Sequence, residues 1–454
     1  MKINIEYFIR KVVLVTFIIL MIVIVASFIF LIEKRKKSRR LIEKTIPHID
    51  FDQNSNELDL VHISDIHYLD PSLTDYGQAF VRNVEKGDAK TVRYIDQVLD
   101  SFILEMIKKK PDAIIVSGDI SYNGEKASHQ KIAKKFKILK DKGIDVLIIP
   151  GNHDIDNEKA KSFILDEEKR VDSVSKEEFK EIYSEFSYSD EDPKVIGRDK
   201  NSLSYMYMIN NFQCILMIET SCGQNDLHIS NQTYKWIEKM LNIASINNLS
   251  VISVTHQNIL AHNKMFISGY KISNSSKLIK LFSDHNVRLN LSGHMHIQHI
   301  SENEGVLDAA IASVALYPHL YASIHADARG SIEYESQSID VEYWAKKYGW
   351  KDDKLLNFNE ISKEFFIDCT KDQIEPVLNK INISLEEKRE MMNFVIDTNL
   401  FYFSGRMKER EDLNIENINY KRWKKYGEET FLISYLDSIY MDFDSSHNKF
   451  EIKM

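Results

Sequence analysis

The sequence predicts an α/β protein preceded by a membrane-spanning helix and followed by a mostly helical region. Three observations carry this expectation. From residue 58 onwards, short Val- and Ile-rich runs alternate with Lys/Glu-rich helical stretches, the pattern of buried strands joined by helices. Residues 12–32 are 21 positions without a charge. From about residue 341, apolar side chains recur at helical spacing.

The N-terminal run comes first. At about 1.5 Å rise per residue it spans roughly 30 Å, the hydrocarbon thickness of a bilayer. A cleaved signal sequence would have a shorter apolar stretch and a small-residue cleavage site. A core helix would not be apolar on every face. The reading is therefore a short basic tail (1–11), a transmembrane helix (12–32) and a basic linker (33–50), giving a single-pass protein of the cell membrane. Lys34, Arg35, Lys36, Lys37, Arg39 and Arg40 follow the span, and Lys2, Arg10 and Lys11 precede it. These flanks compete, so they do not fix the side of the membrane on which the rest of the chain lies.

The strand-like runs are 58–64, 113–117, 146–149, 213–218, 251–255 and 287–292, and β-like texture continues through 307–316 and 321–339. Beyond them, Ile374, Val377, Leu378 and Ile381 follow helical spacing, as do Leu432, Tyr435, Leu436 and Ile439. Ser384 and Glu387 have the form of a capping box opening another helix. Trp344, Trp350 and Trp423, three of the four tryptophans, lie in this last region. The expected division is 51–340 for the main domain and 341–454 for a helical domain, which serves as a structural appendage or as a lid over a pocket.

Composition excludes several classes. With 454 residues, 43% hydrophobic and 28% charged, the chain can bury a sizeable core. Its three cysteines, Cys214, Cys222 and Cys369, form no CxxC pair, which argues against a disulfide scaffold or a zinc ribbon. Residues 1–44 carry ten Lys/Arg against three Asp/Glu, whereas the rest carries 49 against 65. A body that acidic is not built for general nucleic-acid binding. No P-loop is present: Gly118 and Gly124 enclose five residues and Glu125 follows where Gly-Lys-Ser/Thr is required. No GxGxxG fingerprint follows a strand either.

Five short motifs follow directly on the apolar runs: Asp65-Ile66-His67, Gly118-Asp119, Gly151-Asn152-His153-Asp154, His256 and Gly293-His294-Met295-His296. Ligand sites of α/β sheets gather at the carboxyl ends of strands, so these residues can converge despite their separation. Asp, His and Asn offer oxygen and imidazole donors suited to Mn²⁺, Fe or Zn²⁺. One carboxylate can bridge two such cations, and a pair of cations can activate water for attack on phosphorus. The glycines allow close backbone approach. An Asp-x-His triplet or a lone His means little alone. Gly-Asn-His-Asp and Gly-His-x-His are far rarer by chance, and the ordered set of five carries the inference.

Carrying those five motifs, the segments SDIHYLDPSLTDYGQAF, SGDISYNGEKASH and SGHMHIQ resemble the calcineurin-like metallophosphoesterase family, closest to bacterial members of its cyclic-nucleotide-phosphodiesterase-like branch, some of which carry a C-terminal helical domain. The resemblance covers roughly residues 58–300, and the β-rich stretch to about 340 also fits. It implies a four-layer β-sandwich flanked by helices and two divalent metal ions. Asp65, His67 and His296 would hold the first metal, Asp119 would bridge both, and Asn152, His256 and His294 would hold the second. His153 would donate a proton to the leaving oxygen or steady its charge, and Asp154 would orient the His153 imidazole. The insertions at 68–90 and 155–200 are where specificity should differ. Tyr68 and Asn123 read equally as pocket or as packing and turn residues.

The leading functional expectation is a membrane-anchored dinuclear-metal phosphodiesterase acting on a small phosphoester, with a cyclic nucleotide as one possibility. A phosphomonoesterase or pyrophosphatase would use the same metal site. A non-catalytic metal-bearing sensor or scaffold is the alternative from another class, and the intact His153-Asp154 pair argues against it.

Overall fold

The computed structural model describes residues 56–86, 89–220, 227–440 and 446–453, with Thr16, Met21, Val25, 27–29 and Glu33 upstream. Residues 1–50 and 51–454 form separate units. Apart from those upstream positions, the expected basic tail, transmembrane helix and linker lie outside the described residues. The expected single-pass membrane location is corrected: among the described residues no helix is long and apolar enough to cross a membrane.

In the second unit, alternation of side chains along the strands produces two sheets with a shared interior. The first sheet is six-stranded, ordered β15-β14-β13-β1-β2-β3. Its strands are β1 (Glu57–Ile63), β2 (Ala113–Val116), β3 (Asp145–Ile148), β13 (Leu320–Asp327), β14 (Ile332–Ser338) and β15 (Lys449–Ile452). The second is seven-stranded, ordered β11-β12-β10-β9-β8-β7-β6. It comprises β6 (Val195–Arg198), β7 (Tyr205–Met208), β8 (Gln213–Ile218), β9 (Ser250–Thr255), β10 (Leu289–Ser292), β11 (His299–Asn303) and β12 (Val306–Ala310). A separate hairpin, β4 (Lys161–Ile164) with β5 (Glu167–Arg170), belongs to the second insertion.

Leu58, Leu60, Ala113 and Ile115 of the first sheet share one apolar layer with Ile215, Met217, Ile252, Val254, Leu289 and Leu291 of the second. The intervening positions Val61, Ile63, Ile114 and Val116 point the other way, into a core with α1 (Ile95–Lys109) and α2 (Lys126–Lys140). On the second sheet, α3 (Asn231–Ile246) contacts β9 and α4 (Ser275–Asp284) contacts β12. Strands β1, β2 and β3 run parallel, as do β8, β9, β10 and β12. Each group therefore delivers its carboxyl ends to one edge.

The longer helices after β14 are α5 (Val341–Lys347), α6 (Phe358–Leu378), α7 (Leu385–Phe403), α8 (Ile418–Tyr426) and α9 (Phe431–Tyr440). The Ser384–Glu387 capping box opens α7. Trp423 is fully buried, and its indole N–H donates to Met391 O at 3.0 Å. Helix α6 ends at Leu378, so Ile381 lies beyond it, in the adjoining turn. After these helices the chain returns to the first sheet, where β15 pairs antiparallel with β14.

Candidate metal centre

The loops after β1 and β2 are stitched together before any side chain is considered. Main-chain N–H groups of Asp65, His67 and Tyr68 donate to the carbonyls of Gly118, Asp119 and Ile120, each at 3.0 Å. This pairing holds Asp65, His67 and Asp119 at positive φ (54°, 46° and 46°), and His294 and His296 share that conformation (66° and 57°). Non-glycine residues there are strained by about 1–3 kcal/mol each and cluster at functional sites. The glycines answer close approach. A Cβ on Gly151 would collide with the Asp119 carboxylate, and one on Gly293 would collide with Ser64 and Asp65.

Two clusters result, and they share Asp119: Asp65, His67, Asp119 and His296 in one, Asp119, His256 and His294 in the other, with ligand atoms in each within 4.8 Å of one another. His296 Nε2 lies 3.2 Å from Asp65 Oδ1 and 3.0 Å from His67 Nε2. His256 Nε2 lies 3.3 Å from Asp119 Oδ2 and 3.2 Å from Asn152 Oδ1. All seven residues expected to be ligands thus face one crevice. Asn152 is exposed, and His294 and His296 are half-buried.

Surrounding groups decide which ring nitrogens are available. His256 Nδ1–H donates to Ser117 O at 2.8 Å, leaving Nε2 toward the cluster. His294 Nε2–H donates to Gly269 O at 2.8 Å, leaving Nδ1 with the lone pair. Asp65 Oδ2 accepts from the main-chain N–H of His294 at 2.9 Å, while Oδ1 is buried without a hydrogen-bond donor.

Electrostatics sharpens this picture. Burial alone would raise the Asp119 carboxyl, but His256, His153 and His67 hold it well below the usual range. Burial likewise opposes ionisation of Asp65, and His296 overrides it. Burial, then the charge of Lys90, pushes His67 well below the usual imidazole range, and burial with His256 pushes His294 down to about 4. Burial works against a charge on His256, but Asp119 lifts it to about 9. Ionised carboxylates beside the lowered imidazoles of His67 and His294, with Asp65 Oδ1 left without a donor, are a donor set that fits divalent cations, and a cation would take the place of the proton that Asp119 holds on His256.

His153 sits beside this crevice, its ring 5.0 Å from that of His67. Its main-chain N–H donates to Asp119 Oδ1 at 2.9 Å. Its Nδ1–H is held by Tyr122 O at 2.9 Å and Asn123 Oδ1 at 3.0 Å. The expected orienting role of Asp154 is therefore corrected. The buried Asp154 carboxylate accepts from Ile120 N, Ser121 N, Ser121 Oγ and Gly151 N at 2.8–3.1 Å, so its oxygens tie two loops together instead of meeting the imidazole. Tyr68 is a core residue, its hydroxyl donating to Asp96. The two insertions pack on one another: Leu165 N donates to Asp75 Oδ2 at 2.8 Å, and Arg82 pairs with Asp166.

Several contributors had escaped the sequence reading. Gln257 Nε2–H donates to Asn152 Oδ1 at 3.2 Å, and Ser313 Oγ–H donates to Asp65 O at 2.7 Å. Tyr270 places its ring 5.4 Å from that of His294. Adjacency to His256 was a signal for Gln257; nothing in spacing marked Ser313 or Tyr270.

Two clusters joined through one aspartate, at the strand ends of a helix-flanked double sheet, define a hydrolase of phosphoesters that works with metal ions. Comparison with known proteins gives the same class. Residues 58–298 match the family model for calcineurin-like phosphoesterase, and 340–446 match that for the C-terminal domain of cyclic nucleotide phosphodiesterase. The chain belongs to the calcineurin-like phosphoesterase family. A probable cyclic nucleotide phosphodiesterase of Psychrobacter arcticus is 21% identical over 196 residues, which is 43% of this chain and 60% of the relative. Similar solved structures include a dimetal phosphatase from Danio rerio (13% identity, 62% of this chain and 96% of that one, TM-score 0.44) and purple acid phosphatase PPD1 of yellow lupin (13%, 63% and 52%, TM-score 0.40).

Proposed function

We propose that this chain is a phosphodiesterase, with cyclic nucleotides as its substrate class. The observation that carries the reading is the match of 340–446 to the C-terminal domain of cyclic nucleotide phosphodiesterase, on a chain whose preceding region belongs to the phosphoesterases. The Psychrobacter arcticus relative bears the same activity in its name.

Asp65, His67 and His296 would hold one divalent cation, Asn152, His256 and His294 the other, and Asp119 both. Cations of manganese, iron or zinc would supply Lewis-acid polarisation of the phosphoryl oxygens and activation of water. The chain's own contribution is orientation and proton transfer. Asp119 has one oxygen fixed by the His153 N–H, which leaves the other facing the imidazoles. His153 has Nδ1 occupied by Tyr122 O and Asn123, which leaves Nε2 to give a proton to the departing oxygen.

The test is Mn²⁺-dependent hydrolysis of a phosphodiester and a phosphomonoester reporter by the purified protein. Preference for the diester supports the proposal. Preference for the monoester retains the site chemistry and overturns the phosphodiesterase assignment.

A further inference from the structure

Between β9 and α4 the chain runs from His256 to Asn274 without a regular element. Unstructured connections of that length inside a domain are uncommon and usually functional. This one touches the metal centre directly. Gly269 O accepts the His294 Nε2–H at 2.8 Å, and the next ring, Tyr270, lies 5.4 Å from the His294 ring. Phe266 meets Tyr270 edge-on at 5.4 Å, and beyond it stands Phe431 of α9 at 6.3 Å. Tyr435 closes the back, 6.2 Å from Phe266 and stacked with Phe431. The C-terminal helices also brace the loop, because Asn263 Nδ2–H donates to Tyr402 Oη at 2.9 Å.

Continuous aromatic surface thus runs from His294 outward. Its outer end is wet: Phe431 is 59% exposed and Ile267 44%. A phosphoester whose phosphate sits against His294 would direct its organic group along this row, meeting Tyr270 first. Planar groups are the natural partners for such rings, since base–aromatic stacking is favourable and tolerates any base. We propose that Tyr270, Phe266 and Phe431 form a shelf that takes the nucleobase of the substrate. The C-terminal helices would then complete the substrate site by supplying its outer wall. This proposal rests on the phosphodiesterase reading above.

A matched pair of substrates tests it: adenosine 3′,5′-cyclic phosphate and the same cyclic ribose phosphate with a methoxy group in place of the base. The reacting ring is identical, so the ratio of kcat/KM isolates the base. The wild type should favour the nucleotide, mostly through KM. Tyr270→Ser and Phe431→Ser should each lower that ratio about tenfold, and Tyr270→Phe should restore it. Phe431 is exposed, and a thermal midpoint and circular dichroism spectrum matching the wild type would confirm that its variant folds. Equal ratios in wild type and variants would overturn the shelf alone. A wild type that hydrolyses neither compound with Mn²⁺, Fe²⁺ or Zn²⁺ would overturn the phosphodiesterase reading, and the shelf with it.

Discussion

The main-chain N–H of His153 donates to Asp119 Oδ1 at 2.9 Å. One oxygen of the shared carboxylate is thereby fixed by backbone, and Oδ2 is left 3.3 Å from His256 Nε2 and 3.9 Å from His67 Nε2. Asp119→Asn keeps the shape and the Oδ1 bond while removing the charge. Hydrolysis should fall about 10³-fold or more, because several kcal/mol of metal-assisted stabilisation depend on that anion. Elemental analysis should find less bound metal per chain than in the wild type. Asp119 is also what lifts His256, so in metal-free protein the His256 imidazole should titrate at lower pH in the variant, as followed by NMR. Wild-type turnover in the variant would end the shared-ligand role.

His153 offers a second prediction. With Nδ1 held by Tyr122 O and Asn123, His153→Ala should lose proton transfer and keep the metals. The expected fall in kcat is about 10²- to 10⁴-fold for a diester with an alcohol leaving group. For nitrophenolate, which departs without a proton, the loss should be much smaller. Equal losses on both substrates would show that the residue does not protonate the leaving oxygen.

Asp154 separates architecture from chemistry. Its buried carboxylate accepts four hydrogen bonds from the loops carrying Asp119 and Asn152. Asp154→Ala leaves three buried N–H groups and a hydroxyl without that partner, and hydrogen bonds to a charged group contribute about 1.5–3 kcal/mol each. The variant should therefore be strongly destabilised in urea titrations, with activity lost in step with folded protein. Full stability combined with a specific loss of kcat would return Asp154 to the role of orienting His153.

The contrast between Asp154 and Asp119 shows what the sequence made legible. The strand cores were readable because their apolar runs are nearly continuous, as in 113–117 and 213–218. The motif residues were readable because each follows such a run. What escaped was pairing across long separations. Asp154 stands beside His153 in sequence, but its partners are Ile120 and Ser121, brought in by the parallel pairing of β2 and β3. Strand β15 escaped because four residues, Lys449–Ile452, give too short a pattern, and its partner β14 lies more than a hundred residues upstream. Tyr270 escaped for the same reason: only the folded loop brings it to His294.

Glu125 makes a prediction about pH. Its side chain is fully buried, with Oε2 accepting from Asn123 N at 2.9 Å and Oε1 lacking a donor. Burial pushes its carboxyl up to about 7 from an ordinary value of 4.5. Between those two values the folded state binds more protons here than the unfolded state. The contribution of this group to unfolding free energy therefore falls as pH rises through the window, by at most about 1.4 kcal/mol per pH unit, and levels off above the folded pKa. Glu125→Gln removes the titration and keeps an acceptor for the Asn123 N–H. In metal-free protein, urea denaturation at pH 4.5, 6 and 8 should show the variant gaining on the wild type as pH rises, by a few kcal/mol at pH 8. A stability difference that stays constant over that range would mean that Glu125 does not carry its proton into the neutral range.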